Sequence, residues 1–186
     1  MSSVVFLRAS NVGGHRTFSP AAFVRELAHL DAVNLGAAGT FVIRAAVDED
    51  TLRAEIARRL PFETEILIVD GDALVALLDT DAFASVDAIE GAKRHLSVLP
   101  QAPTRAVSLP IDRPPTDAWE VRLVAVVGRC ALSVQRKVGP VAKVYPNAVV
   151  EKALGVAATT RNWNTLGTQV DQKRIGFPPA ALCTAA

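Results

Sequence analysis

A basic residue followed by an amide-bearing glycine loop and a proline-started helix can hold an anion, and the chain carries this pattern near its N-terminus. Arg8 is followed by Ala9-Ser-Asn-Val-Gly-Gly-His15 and then by Ser19-Pro20. Gly13 and Gly14 let backbone N–H groups approach a phosphate or carboxylate, and a helix start adds partial positive charge. Asn11, Arg8 and His15 would add side-chain donors. The spacing is neither a Walker loop nor the G-x-G-x-x-G dinucleotide pattern, so a tight structural turn is the competing explanation. A second group lies in Ala158-Thr-Thr-Arg-Asn-Trp-Asn-Thr165. There Arg161 is expected to open a helix beside Asn164, although the same hydroxyls and amides can serve simply as caps. If the two segments border one cleft, Arg8, Asn11, Gly13, Gly14, His15, Arg161 and Asn164 make one ligand-binding site.

Other chemistries find less support. Of three histidines, His29 falls toward the polar side of an amphipathic helix and His95 opens a strand, which leaves His15 in a motif. No nucleophile-elbow pattern accompanies it. No ligands cluster at metal-binding spacing, so neither a metal nor a cofactor is expected. Asp70-Gly-Asp72 and Asp79-Thr-Asp81 read as a helix cap and a solvated turn. Cys130 and Cys183 are too far apart for a redox or zinc motif and fit a reducing compartment; Cys130 reads as a core residue. A net charge of +1 gives no global attraction to nucleic acid or membrane. Nucleic-acid binding would need a local cluster such as Arg136, Lys137, Lys143 and Arg161. Residues 1–8 read as a strand rather than a signal peptide, and no apolar run reaches the roughly 18 residues a spanning helix needs. The cytoplasm is the expected compartment, with no membrane partner.

These candidates need elements to hold them. With 186 residues and 50% hydrophobic content the chain can bury a core without staples. Val4 to Leu7 is a strand, Ser19-Pro20 starts a helix with Phe23, Leu27 and Leu30 on one face, and Val33–Leu35 and Phe41–Ala45 are strands joined by Gly36-Ala-Ala-Gly39. Asp48 or Asp50 caps a second helix facing inward through Leu52, Ile56 and Leu60, Pro61 stops it, and Glu65–Val69 is a fourth strand. The order β-α-β-β-α-β is the ferredoxin-like arrangement.

Beyond it, a short helix capped within Asp70–Asp72 carries Leu74, Leu77 and Leu78, and His95–Leu99 is a strand. Prolines 100, 103, 110, 114 and 115 mark an irregular crossing with an extended piece at Ala106–Leu109. Trp119–Val127 and Cys130–Lys137 form a hairpin around Gly128-Arg129, with Val127 facing Cys130, Ala125 facing Leu132, Leu123 facing Val134 and Glu120 facing Lys137. Asn147 caps a helix closed by Gly155. Thr160 or Asn162 then caps a last helix with Trp163, Leu166 and Val170 toward the core.

Leu7-Arg-Ala-Ser-Asn-Val-Gly-Gly-His15 together with Leu154-Gly-Val156 and Ala158–Thr165 resembles the opening and closing signatures of a bacterial family catalogued as domain of unknown function 1697. The likeness runs from about Val4 to Val170. It departs at Ala9-Ser10, where the family has Gly-Ile, and at Ala38-Gly39-Thr40, where the family has Ser-Gly-Asn. The resemblance implies an α+β fold of two ferredoxin-like subdomains, the second incomplete or irregular, and no known activity. The expected organisation is residues 1–70 as the first subdomain, 71–93 as connecting helix and loop, 94–173 as the second α+β subdomain and 174–186 as a tail. The leading functional expectation is a binding module for a small anionic ligand. The alternatives are a nucleic-acid-binding protein and an enzyme acting on a phosphorylated substrate with His15 as acid or base.

Overall fold

A computed structural model describes residues 2–8, 18–84, 86 and 89–172, with side chains as far as residue 167. The Asn11–His15 loop and the tail lie outside the described residues. The first half is built as the spacing predicts. Strand β1 (Ser3–Leu7), helix α1 (Pro20–Glu26), strands β2 (Ala32–Asn34) and β3 (Thr40–Ile43), helix α2 (Glu49–Arg59) and strand β4 (Ile66–Asp70) follow in order. The strands form an antiparallel sheet in the order β2-β3-β1-β4. Ser19 caps α1 by accepting from the Ala22 N–H, and Asp48 caps α2 by accepting from the Thr51 N–H. One face of this sheet (Val5, Leu7, Phe41, Ile43, Ile66, Ile68) is covered by Phe23, Leu27, Leu52 and Ile56 from the two helices.

The second half repeats the topology with one part exchanged. After helix α3 (Gly71–Leu78) come β5 (Lys93–Val98), β6 (Ile111–Arg113), β7 (Val121–Val127), β8 (Cys130–Gln135), helix α4 (Pro146–Leu154), β9 (Thr159–Asn162) and helix α5 (Trp163–Gln172). Their sheet runs β6-β7-β8-β5-β9. Setting β6 aside, β7-β8-β5-β9 reproduces the order of the first sheet, with the proline-rich crossing standing where α1 stands in the first half. That crossing contains two cis prolines, Pro110 and Pro114. Its extended piece is β6, five residues later than the expected Ala106–Leu109, pairing antiparallel with β7 from Ile111 opposite Leu123 to Arg113 opposite Val121.

The two sheets pack face to face. Val4, Phe6, Val42, Leu67 and Val69 meet Leu96, Val98, Cys130, Leu132 and Val134, with Leu74 and Leu77 of α3 and Trp163 and Leu166 of α5 completing the layer. The far face of the second sheet (Leu99, Val121, Leu123, Ala131) is covered by Val149, Val150 and Leu154 of α4. The architecture is therefore α+β in four layers: helices, sheet, sheet, helix. Cys130 sits in the middle layer, and burial raises its thiol to about 11.

Three expectations are corrected. The hairpin starts as predicted, with Val127 opposite Cys130 and Ala125 opposite Leu132, and Gly128 at φ 55°. A bulge at Val124 then shifts the register: Leu123 faces Ser133 instead of Val134, and Arg136 rather than Lys137 bonds to the Glu120 carbonyl. The extra residue turns Val121 and Leu123 toward α4 while Ala125 keeps facing the other sheet, so both layers are filled. Helix α4 is entered from Tyr145 with Pro146 in its first turn, not capped by Asn147. Finally, Thr159–Asn162 is a strand rather than the start of a helix; Asn162 caps α5 through the Thr165 N–H at 3.1 Å.

Helix α3 offers a simple check of local capping. The Asp70 carboxylate accepts from the Ala73 N–H at 2.8 Å. Asp70→Ala should cost about 1 kcal/mol of stability, read as a lower urea midpoint at unchanged slope.

The outer edge of the first sheet is closed by side chains. The carbonyls of Ile66 and Ile68, which point away from β1, accept from the guanidinium groups of Arg53 and Arg129 respectively.

Candidate functional site

Strand β1 carries Arg8 just past its end, and β9 carries Arg161. Their positions follow from the sheets. Thr159 and Arg161 alternate onto the face of β9 that meets the first sheet, opposite Val98 and Leu96 of β5. From there Arg161 reaches across the sandwich. Its Nε donates to Thr40 Oγ1 at 2.9 Å, its Nη2 to the carbonyls of Leu7 (2.9 Å) and Ala38 (2.5 Å), and its Nη1 to the Thr160 carbonyl (2.9 Å). Burial pulls the guanidinium down to about 10, which still leaves it charged at neutral pH. Arg161 thus ties the two sheets together, and it brings the closing motif against the end of the opening strand.

Arg8 lies beside this tie. It donates to Glu65 Oε2 at 3.3 Å and to Glu151 Oε1 at 2.8 Å. Glu151 also accepts from the Ala158 N–H at 3.0 Å, so α4, β1, β4 and the entry to β9 meet at one guanidinium. Two carboxylates on one arginine leave this corner without surplus positive charge. Asn164 is exposed on the first turn of α5. Asn11, Gly13, Gly14 and His15 lie outside the described residues. The helix start after them is capped by Ser19, and α1 is only 7 residues long.

Two further clefts compete for attention. The larger, about 610 Å3, runs between β6 and the loop before β7. Its arginines are engaged: Arg122 forks onto Asp112 at 2.7 and 2.8 Å and lies 4.5 Å from the centre of the Trp119 ring, which Arg136 also approaches at 4.2 Å, and Arg113 donates to the Asp112 carbonyl at 2.7 Å. The smaller, about 220 Å3, lies where β5 begins and β8 ends, lined by Gly91, Lys93, Gln135, Arg136, Lys137 and Ala142. No carboxylate lines it.

Beyond the pocket, the same face of β5 and β8 continues with polar residues. Lys93 pairs with Gln135 across the strands, and the next rung on the same face is His95 with Ser133, followed by Ser97 with Ala131. His95 also neighbours Asn162, and Ser97 shares a 2.7 Å hydroxyl contact with Thr160. Ser133 is fully buried, and neither its Oγ nor His95 Nε2 has a protein partner. Burial holds the His95 ring below its usual pKa. Gln135 Nε2 is committed to the Val144 carbonyl at 3.0 Å. Sequence reasoning passed over Lys93, His95, Ser133 and Gln135. The available signal was alternation: His95, Ser97, Ser133 and Gln135 put polar groups on one face of strands whose other face carries Leu96, Val98, Cys130, Leu132 and Val134.

No protein-family model matches the chain, and neither does any curated protein. Among solved structures it is similar to the conserved bacterial protein SP0830 from Streptococcus pneumoniae, at 15% identity and a TM-score of 0.55. The likeness covers 91% of this chain and 98% of that one, and it shows a shared fold. No helix among the described residues is long and apolar enough to cross a membrane. Of the residues weighed for a nucleic-acid patch, Arg161 is turned between the sheets and Arg136 donates to the carbonyls of Asp117 and Trp119. Both faces of both sheets carry packed side chains, and the strand aromatics Phe6 and Phe41 are buried.

Proposed function

We propose that the protein is a binding module for a small anionic ligand, received in the basic pocket between the start of β5 and the end of β8. The observation that carries this reading is the lining: two lysine side chains, Lys93 and Lys137, beside the Gln135 amide, with no carboxylate among them. Charge-assisted hydrogen bonds from lysine are among the stronger polar contacts a shallow pocket can offer. Titration calorimetry with inorganic phosphate tests it. Lys93→Ala and Lys137→Ala should each weaken binding about tenfold, the loss of one charged contact. An unchanged affinity in the double variant sinks the reading.

A second reading puts the anion at the mouth of the opening loop, with Arg8, Asn11, Gly13, Gly14 and His15, backed by Arg161 and Asn164. The contact between Arg161 and the Leu7 carbonyl favours it, because it draws the two motifs together. Arg8→Gln separates the readings: phosphate affinity is retained if the basic pocket binds and lost if the loop does. The same two motifs support membership of the domain of unknown function 1697 family, and the buried thiol of Cys130 suits a cytoplasmic protein.

A further inference from the structure

Two exposed valines lie on the loop that borders the basic pocket, and a bare anion leaves them without a role. We propose that the anion taken there carries an apolar group: the ligand is an amphiphilic phosphate whose head meets Lys93 and Lys137 and whose alkyl part lies along the loop between Lys137 and Ala142. This inference rests on the basic pocket being the ligand site and names the class of ligand it takes.

Lys137 and Ala142 both line the pocket, so the residues between them, Val138-Gly-Pro-Val141, leave its rim and return to it. Val138 is 47% exposed and Val141 70%, and they are two of the five large hydrophobic side chains exposed among the described residues. Apolar residues scattered singly are ordinary on a surface, whereas a pair on a short loop with both ends at a pocket is localised. The return of the loop is fixed. Glu120 Oε2 accepts from the Lys143 and Val144 N–H groups at 2.8 and 3.2 Å, and Gln135 Nε2 donates to the Val144 carbonyl at 3.0 Å. Gln135 itself lines the pocket, so one side chain borders the anion's place and holds the wall beside it. These bonds engage the loop's backbone and leave the valine side chains in water.

The lining next to the ammonium groups is of the same kind. Gly91 and Ala142 bring no polar side chain, and each lysine presents a methylene stem before its charge. A cleft of about 220 Å3 built this way offers an anion two ammonium groups and an amide, and offers whatever is attached to the anion hydrocarbon. Apolar walls with a few placed polar groups suit a molecule charged at one end. Free phosphate uses the charges and leaves the valines wet; an alkyl phosphate covers them. A methylene fully withdrawn from water strengthens binding about fourfold, so two suffice for roughly tenfold.

Calorimetry on the intact protein compares inorganic phosphate with hexyl phosphate at about pH 8, where both are chiefly dianions. Hexyl phosphate should bind at least about tenfold more tightly. In the double variant Val138→Ser, Val141→Ser the two affinities should converge while that for inorganic phosphate stays unchanged; both positions are exposed, and an unaltered melting temperature verifies the fold. Lys93→Ala should weaken both ligands. Vesicles of phosphatidylcholine with and without phosphatidic acid separate the sources of such a group. Sedimentation with the phosphatidic acid vesicles alone, lost in the valine variant, makes it a lipid head, and tight hexyl phosphate binding without sedimentation makes it a soluble ester. Equal affinities in the unsubstituted protein, or a gain that survives the valine substitutions, overturn the amphiphilic ligand while leaving the pocket standing. Absence of binding for both phosphates overturns the pocket itself.

Discussion

Replacing Arg161 with methionine should lower the free energy of unfolding by about 3 kcal/mol, read as a drop in urea midpoint at unchanged slope. The apolar stem is conserved by the substitution, so the loss isolates the guanidinium. Without it the carbonyls of Leu7 and Ala38 and the Thr40 hydroxyl lose a shared donor at the junction of the two sheets. Arg161→Lys should recover less than half of the loss. A single ammonium cannot reach Thr40, Leu7, Ala38 and Thr160 at once, whereas the planar fork spans them from Nε to Nη2. A loss below about 0.5 kcal/mol, ordinary for a surface substitution, would show that the tie between the sheets is unimportant to stability.

Trp163→Ala should be at least as damaging, costing about 3–5 kcal/mol. The indole is 8% exposed, and its ring meets Phe83 edge-on at 5.2 Å between centroids. It fills the middle layer between the sheets together with Leu166 and the α3 leucines, so its removal leaves a cavity lined by both halves. Trp163→Phe, which keeps a ring against Phe83, should cost distinctly less. Thermal unfolding monitored by near-ultraviolet circular dichroism checks both, since the signal comes from the packed aromatics themselves. Equal effects of the two substitutions would mean the ring contact adds nothing beyond volume.

Both residues belong to one stretch, and the sequence made one of them legible. Trp163 recurs with Leu166 at helical spacing, and its burial follows from that periodicity alone. Arg161 did not declare itself. Thr-Thr-Arg-Asn carries the hydroxyls and amides of a helix cap, and one of them, Asn162, does cap α5. That Thr159–Asn162 is a strand depends on an empty place beside β5, which no local property of four residues reveals. Ser19-Pro20, Asp48, Asp70 and Gly128 were readable because each acts on neighbours within a few residues. The bulge at Val124 was not, because it answers a demand from α4 on one side and the other sheet on the opposite side.

The same division applies to the candidate site. Arg8 stands in a conspicuous motif, yet its guanidinium is shared by two carboxylates from distant parts of the chain, Glu65 and Glu151. The lysines of the basic pocket sit in no motif. Lys93 and Lys137 are forty-odd residues apart in sequence and converge because β5 and β8 pair with Lys93 against Gln135. His95 and Ser133 could be read only as polar interruptions in two strands; their adjacency is a property of register.

The two arginines on the outer edge of β4 bear on how the molecule behaves in a crowd. An edge strand with open carbonyls is a template on which a further strand can grow. Here the outward carbonyls of Ile66 and Ile68 are occupied by Arg53 and Arg129. A second chain arriving at that edge would have to evict two cations before forming its first rung, and then seat its own backbone beside them. The β4 edge of the sheet is thereby guarded by charge rather than by shortness of the strand.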